Sequence, residues 1–192
     1  MIQHILKTPI HVGKLKEPIL TRSIMTMVND CMHTKNFRTE SNFGGLQTNK
    51  YDAKTNEKLS VKLLEETTKY VESLHRKKQF KITLNGFWIN INMKNHFNVE
   101  HMHYNYQNKF SGIWYVQCGE GSGNLVFKGR DDFVSVSQLD QYFNNEFTND
   151  YELQPKPNDL ILFPSYLKHW VKPNMTETPR ISVAFDIGFI DV

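Results

Sequence analysis

Residues 81–92 read Lys-Ile-Thr-Leu-Asn-Gly-Phe-Trp-Ile-Asn-Ile-Asn, and the second half of this segment alternates between two kinds of side chain. Phe87, Ile89 and Ile91 form one series, and a tryptophan and two asparagines form the other. Successive side chains of a β-strand point to opposite faces of the sheet. The alternation therefore predicts a strand with one apolar face and one polar face.

Strand-like segments continue towards the C-terminus without an amphipathic helix between them. Glycine, proline and asparagine-aspartate turns separate four further candidates, at residues 110–116, 124–127, 159–163 and 180–187. Parallel strands need long crossover connections, usually helices, whereas antiparallel strands can be joined by turns. The pattern therefore predicts an antiparallel sandwich or jelly roll.

The N-terminal third of the chain has a helical pattern instead. Apolar residues recur at helical spacing from Leu20 to Cys31, and a second helix is predicted at about residues 60–76. The segment between them, residues 35–58, is polar and rich in asparagine, threonine, lysine and glycine. We expect an irregular crossing there.

These patterns together predict an α+β fold that is mainly β. We expect a single domain over residues 1–192, with helices at about 18–77 buttressing a core at about 78–190. The core is predicted to be a double-stranded β-helix, the jelly roll. A chain of 192 residues is long enough to bury a core of this size.

Composition excludes several classes of protein. The net charge of +3 comes from 23 basic and 20 acidic residues without a contiguous basic patch, so nucleic acid is not an expected partner. No apolar run approaches the ~20 residues that a membrane span needs. Two cysteines are too few for a disulfide framework. We expect a protein of the cytoplasm.

Three of the eight histidines are candidates for a metal site. His101 and His103 are separated by one residue, which on a strand puts both on one face about 7 Å apart. His169 follows a buried strand and a proline break. In the last strand Arg180 and Ser182 share a face, and a guanidinium beside a hydroxyl suits a carboxylate ligand.

The order of these residues resembles the iron(II)- and 2-oxoglutarate-dependent oxygenases. It resembles most closely the family of small 2-oxoglutarate/iron oxygenases of bacteria and marine phages. The resemblance covers about residues 81–187 and rests on segments 88–90, 98–103, 111–116, 121–127, 163–169 and 180–185. It implies a jelly roll that holds iron(II), with 2-oxoglutarate and dioxygen as co-substrates. It also implies the cytoplasm of a bacterium or of a phage-infected cell.

The resemblance also implies roles for individual residues. His101 and His169 correspond to iron ligands, and Arg180 and Ser182 to the pair that receives the distal carboxylate of 2-oxoglutarate. The Tyr115 hydroxyl could reach that carboxylate, or it could belong to a buried core tyrosine.

His103 departs from the family pattern because it stands where an aspartate or glutamate ligand is usual. Three interpretations stay open: His103 ligates the metal, it hydrogen-bonds a water in the third position, or the iron chemistry is lost. Glu100 is a poor substitute because its side chain points away from that of His101 on a strand. We favour ligation by His101, His103 and His169 together.

The expected function is a 2-oxoglutarate- and iron(II)-dependent dioxygenase that hydroxylates an unidentified substrate and releases succinate and carbon dioxide. Residues 104–109, 129–157 and 35–58 are expected to select the substrate. One alternative is a cupin-like metalloenzyme without 2-oxoglutarate, and another is a non-catalytic jelly-roll binding module. An edge strand or the aromatic run at 133–147 could pair two chains into a homodimer.

Overall fold

Strands and two helices build the described part of the chain, residues 8–129 and 150–192 of a computed structural model. The helices are α1 (Pro18–Thr34) and α2 (Glu57–Glu72). The strands are β1 (His11–Lys14), β2 (Phe37–Arg38), β3 (Asn42–Phe43), β4 (Leu46–Thr48), β5 (Phe80–Asn92), β6 (Phe97–His101), β7 (Phe110–Gln117), β8 (Leu125–Lys128), β9 (Asp150–Leu153), β10 (Asp159–Pro164), β11 (His169–Val171) and β12 (Arg180–Asp191).

The strands form two antiparallel sheets. The larger sheet has the order β1-β10-β7-β12-β5-β4-β2, and the smaller sheet has the order β3-β6-β11-β8-β9. From β5 to β8 and again from β10 to β12, consecutive strands alternate between the two sheets, which is the arrangement of a jelly roll. The predicted fold class is therefore confirmed.

The two helices cover the outer face of the larger sheet. Ile24 of α1 and Leu63 of α2 are fully buried in one apolar cluster with the outward side chains of β5, β7, β10 and β12. Asn56 caps α2, because its side chain accepts a hydrogen bond from the backbone N–H of Leu59. Neither helix in the described residues is long and apolar enough to cross a membrane.

The inner face of the larger sheet meets the smaller sheet and carries different chemistry. Tyr115, Leu125 and Phe163 belong to a second, smaller apolar cluster between the sheets. Along β12, Ile181 and Val183 point to the helices, whereas Arg180 and Ser182 line a pocket on the inner side. The alternation predicted for this strand is confirmed.

The prediction for residues 35–58 was wrong in part, because β2, β3 and β4 lie there. These strands are short and polar, so they carry no alternation that sequence analysis can detect. They pair through their backbones: Leu46 lies opposite Ile91 of β5, and Thr48 Oγ1 accepts a hydrogen bond from the N–H of Ile89. Most of residues 129–157, which were expected to help select the substrate, lie outside the described residues, as does the aromatic run at 133–147.

Candidate functional site

The three predicted histidines meet at one end of a pocket between the sheets. His101 is the last residue of β6 and lies opposite His169, the first residue of β11. His103 follows two residues after β6 ends. One nitrogen from each ring lies within 4.8 Å of the other two. We call these three residues the histidine end of the pocket.

Each of these rings is held through its Nδ1 atom. His101 Nδ1 lies 2.7 Å from the carbonyl oxygen of Val99, and His169 Nδ1 lies 2.9 Å from that of Leu167. His103 Nδ1 lies 3.0 Å from Asp186 Oδ1. Because carbonyl and carboxylate oxygens only accept, Nδ1 carries the proton in each ring. In the neutral rings Nε2 is then left with a free lone pair.

Burial keeps two of the rings neutral. Desolvation lowers the pKa of His101 to about 4, because it outweighs the hydrogen bond to Val99, which raises this pKa, and the neighbouring His103 lowers it slightly further. Desolvation, followed by the other two histidines, also lowers the pKa of His169 well below its ordinary value. Neutral imidazole is the form that binds metal ions. His101 and His169 are therefore in the form that can bind a metal ion at neutral pH.

Asp186 is a site residue that the sequence analysis missed. It lies on β12 with its carboxylate buried, and it accepts hydrogen bonds from His103, Ser111 and Lys50. Burial alone would raise the pKa of this carboxyl, but the hydrogen bond and charge from His103 and the charge of Lys50 outweigh it, so the pKa is lowered. A signal was present, since position 186 shares a strand face with Arg180 and Ser182.

At the other end of the pocket Arg180 is buried, with 1% of its surface exposed. Its Nη1 atom donates to the backbone oxygens of Ser122 and Lys172, the latter at 3.0 Å. Its Nη2 atom has no hydrogen-bond partner in the described residues. No carboxylate pairs with it within residues 8–129 and 150–192, so Arg180 is not the surface ion pair that a strand end often carries.

Gly123 makes this placement of Arg180 possible. Its φ of +93° is a conformation that other residues rarely adopt, and a Cβ atom there would lie 2.5 Å from Arg180 Nη1 and would also collide with the Lys172 oxygen. The glycine-serine-glycine segment is thus more than the turn that its sequence suggests. It brings the Ser122 carbonyl against the guanidinium.

Further polar atoms without partners surround Arg180. The Tyr115 hydroxyl, Asn90 Oδ1 and Asn92 Nδ2 are buried without a hydrogen bond in the described residues. Ser182 lies beside them and is 7% exposed. Buried polar groups are normally satisfied, and leaving one unpaired costs about 1–3 kcal/mol. We call Arg180, Ser182 and Tyr115 the arginine end of the pocket.

The histidine end opens into a wider cavity of about 600 Å³. Its lining includes residues from the two described segments that were expected to select the substrate, among them Arg38, Glu40, Gln47, Tyr104, Asn105 and Asn108. Glu100, in contrast, points away from the histidines towards Lys128 and Lys168, as expected for the alternate position of a strand.

The donor groups present fit a metal ion and an anion in one pocket. Three imidazole nitrogens with free lone pairs suit a divalent transition metal. A buried guanidinium with a free N–H, next to an unpaired hydroxyl, suits a carboxylate. Both sets of residues line the same pocket.

A model of the family described as "Putative 2OG-Fe(II) oxygenase", where 2OG is 2-oxoglutarate, matches residues 86–186, more than half of the chain. The chain belongs to this family of 2OG-Fe(II) oxygenases. Iron(II) and 2-oxoglutarate, the cofactor and co-substrate expected from the sequence, give the family its name. The matched segment contains both ends of the pocket and ends at Asp186. No curated protein matches the sequence.

Solved 2-oxoglutarate oxygenases are similar to this chain in fold. The prolyl-4-hydroxylase of Pseudomonas putida aligns with a TM-score of 0.63 and 14% identity over 96% of this chain and 94% of that one. The viral collagen prolyl hydroxylase of Paramecium bursaria Chlorella virus-1, a 2-oxoglutarate complex, aligns with a TM-score of 0.60 and 14% identity over 93% and 94%. HygX from Streptomyces hygroscopicus, with nickel and 2-oxoglutarate bound, aligns with a TM-score of 0.62 and 11% identity over 94% and 83%.

Proposed function

We propose that this 2OG-Fe(II) oxygenase family member is an active dioxygenase in which His101, His103 and His169 hold iron(II). The free Nε2 lone pairs and the mutual distances within 4.8 Å support this ligand set. So does the neutrality of His101 and His169, because protonated imidazole cannot ligate. Three neutral ligands leave both charges of the metal ion uncompensated, and the keto-acid carboxylate of 2-oxoglutarate would offset one of them.

The buried Arg180 guanidinium is the observation that carries the proposal. It has a free N–H and no acidic partner in the described residues, and it shares a pocket with the histidines. Burying a charge without a counter-charge is costly, so the arginine end is suited to an anion. In our proposal Arg180 and Ser182 bind the distal carboxylate of 2-oxoglutarate, and the Tyr115 hydroxyl donates to the same group.

When bound, iron and 2-oxoglutarate supply an oxidation in which one atom of dioxygen enters succinate and the other enters a C–H bond of the substrate, with release of carbon dioxide. The protein's part is to orient the substrate and to exclude water. Trp88, Met102 and Tyr104 line the wider cavity next to the histidines. We assign the orientation of the substrate and the exclusion of water to these three residues.

We assign substrate binding to this wider cavity. A volume of about 600 Å³ is within the range of small-molecule pockets, which is about 300–1,000 Å³. Both cysteines are free, which suits the reducing cytoplasm of a bacterium or of a phage-infected cell. A homodimer stays a prediction.

An anaerobic titration with iron(II) and then 2-oxoglutarate, followed by visible absorption, tests the proposal. Chelation of iron by the keto acid gives a charge-transfer band that neither component shows alone. We expect the band in the wild type, its loss in His169→Ala and its weakening in Arg180→Ala. The matched controls are His75→Ala and Arg76→Ala, which alter exposed residues away from the pocket.

The rival functions give other results in the same titration. A metal-binding protein that shows no band with 2-oxoglutarate would be a cupin-like metalloenzyme. A protein that binds no metal would be a non-catalytic binding module. Either result would refute the oxygenase proposal.

A further inference from the structure

Three donors engage the carboxylate of Asp186. Oδ1 accepts from His103 Nδ1 and from Ser111 Oγ, both at 3.0 Å, and Oδ2 accepts from Lys50 Nζ at 2.9 Å. Asp186 is 4% exposed. A buried carboxylate with this many charge-assisted contacts has little freedom to rotate, so it holds the His103 ring in one orientation.

The backbone is shaped to bring Lys50 to this carboxylate. The pairing of β5 with β12 contains a bulge next to Asp186, whose partner in the register is Gly86. Gly86 has a φ of +130°, and a Cβ atom there would lie 2.6 Å from Lys50 Cε and 2.8 Å from the Tyr51 backbone oxygen. Bulges often re-aim side chains next to active sites. The Lys50 side chain thus passes over β5 through space that only glycine leaves open.

His103 differs from the other two histidines in this respect. His101 and His169 donate their Nδ1–H groups in hydrogen bonds to the neutral backbone carbonyls of Val99 and Leu167. His103 donates its Nδ1–H group to a carboxylate. A carboxylate behind a metal-bound imidazole fixes its tautomer and makes it a more basic ligand. His103 also stands at the position where the family pattern usually has a carboxylate ligand.

We propose that Asp186 is a positioning residue that holds His103 as the Nδ1–H tautomer and lends it negative charge, with Lys50 fixing the carboxylate. A carboxylate then stands behind the imidazole of His103 instead of on the metal, and its charge is balanced by Lys50. This inference rests on the proposed function for its consequence at the metal. The contact between Asp186 and His103 exists without the metal.

The variant Asp186→Asn tests the tautomer directly. Lys50 can only donate, so the amide oxygen is expected to face Lys50 and the amide NH₂ group to face His103 and Ser111. His103 Nδ1 must then accept, and its proton moves to Nε2, the atom that would bind the metal. The NH₂ group can still donate to the Ser111 hydroxyl, so the shape of the site is kept.

Nitrogen-15 NMR of the metal-free protein reads the tautomer of each histidine. In the wild type we expect the Nδ1–H form for His101, His103 and His169. In Asp186→Asn we expect His103 alone to change to the Nε2–H form, while the other two rings serve as internal controls. A wild-type His103 in the Nε2–H form would overturn the proposal without any variant.

Competition between a chelator and the protein for cobalt(II) then measures the effect on the metal. Loss of a group that orients a ligand typically weakens metal binding about 10- to 100-fold, and we expect this range for Asp186→Asn. Asp191→Asn is the matched control, because Asp191 is on the same strand, pairs with Lys78 and is exposed. Its cobalt affinity should equal that of the wild type.

The two measurements separate this inference from the proposed function. A wild type that binds no cobalt would refute the metal site, while the NMR spectra would still decide the coupling of His103 to Asp186. Unchanged tautomer and affinity in Asp186→Asn would overturn the positioning role. Weakened binding with an unchanged tautomer would also overturn it, because Asp186 would then affect the metal without setting the tautomer of His103.

Discussion

The polar groups at the two ends of the pocket differ in whether the protein supplies their hydrogen-bond partners. At the histidine end every Nδ1 atom has an acceptor supplied by the protein itself. At the arginine end Arg180 Nη2 and the Tyr115 hydroxyl are buried without partners in the described residues. The first end is complete before anything binds, and the second is complete only with a ligand present.

This difference has an energetic meaning. A neutral imidazole with one satisfied nitrogen costs little to bury, whereas an unneutralised guanidinium and an unpaired hydroxyl cost free energy in the empty protein. The arginine end therefore lowers the stability of the ligand-free protein, and binding of an anion restores it. Replacements at the two ends should therefore separate ligand affinity from stability.

The largest effect is expected from Arg180→Met. Loss of a buried charged partner costs about 2–5 kcal/mol, so the affinity for 2-oxoglutarate should fall about 30- to 5,000-fold. Iron(II) affinity should stay unchanged. The ligand-free protein should lose at most about 1 kcal/mol of unfolding free energy, because removal of an unneutralised charge offsets two lost hydrogen bonds.

Calorimetric titration and denaturant unfolding measure these two quantities for Arg180→Met. Arg76→Met is the control and should change neither. A large loss of stability together with unchanged 2-oxoglutarate binding would mean that Arg180 has a structural role. The arginine end would then not be the binding site for the co-substrate.

The next effect concerns acid stability at the histidine end. The folded protein keeps His101 neutral down to a pKa of about 4, while the unfolded chain binds that proton at its ordinary pKa near 6.5. As the pH falls from about 6.5 to about 4, the unfolded state binds more protons and the unfolding free energy decreases. For His101 this loss amounts to at most about 3 kcal/mol.

Urea unfolding of the metal-free protein at a series of pH values checks the sign of this effect. Above about pH 6.5 His101 should contribute no slope. His101→Asn should flatten the acid limb, whereas His75→Asn should leave it as in the wild type. An unfolding free energy that rises on acidification would contradict a neutral, buried His101.

A smaller effect is expected from Gly123→Ala. Its φ of +93° strains any other residue, and the added methyl group meets the Lys172 oxygen and Arg180 Nη1. We expect a loss of about 2 kcal/mol in unfolding free energy, at the upper end of ordinary single substitutions, together with weaker binding of 2-oxoglutarate. Gly119→Ala is the matched control, because a Cβ atom there has nothing within 4 Å. Equal effects at both positions would refute the role of Gly123.

Sequence and structure both contribute to each end of the pocket, but to different residues. Alternation predicted the jelly roll, and spacing made His101, His103, His169 and Arg180 candidates, since each lies on or beside a strand whose pattern is strong. Their roles came from the resemblance to the oxygenase family. Asp186 was within reach of the same reasoning, because it continues the polar face of β12. It was missed because the motif that carries the resemblance ends one residue earlier.

Lys50 and Gly123 could not be predicted in this way. Lys50 reaches Asp186 from a polar segment without periodicity, and it does so through a bulge that only the paired backbones define. Gly123 looks like any turn glycine until Arg180, from a distant part of the sequence, is placed against it. Such contacts depend on the register between strands, which the sequence does not encode locally.

Tyr115 is the residue for which the sequence allowed two interpretations, and it gives the smallest predicted effect. Its hydroxyl has no partner among the described residues, which argues against a satisfied core tyrosine. Tyr115→Phe should therefore leave the ligand-free protein equally stable or up to about 1 kcal/mol more stable. It should weaken 2-oxoglutarate binding about fivefold to tenfold, because one hydrogen bond to the carboxylate is lost. A destabilised variant with unchanged 2-oxoglutarate affinity would mean that the hydroxyl serves the core, and only Arg180 and Ser182 would then define the arginine end.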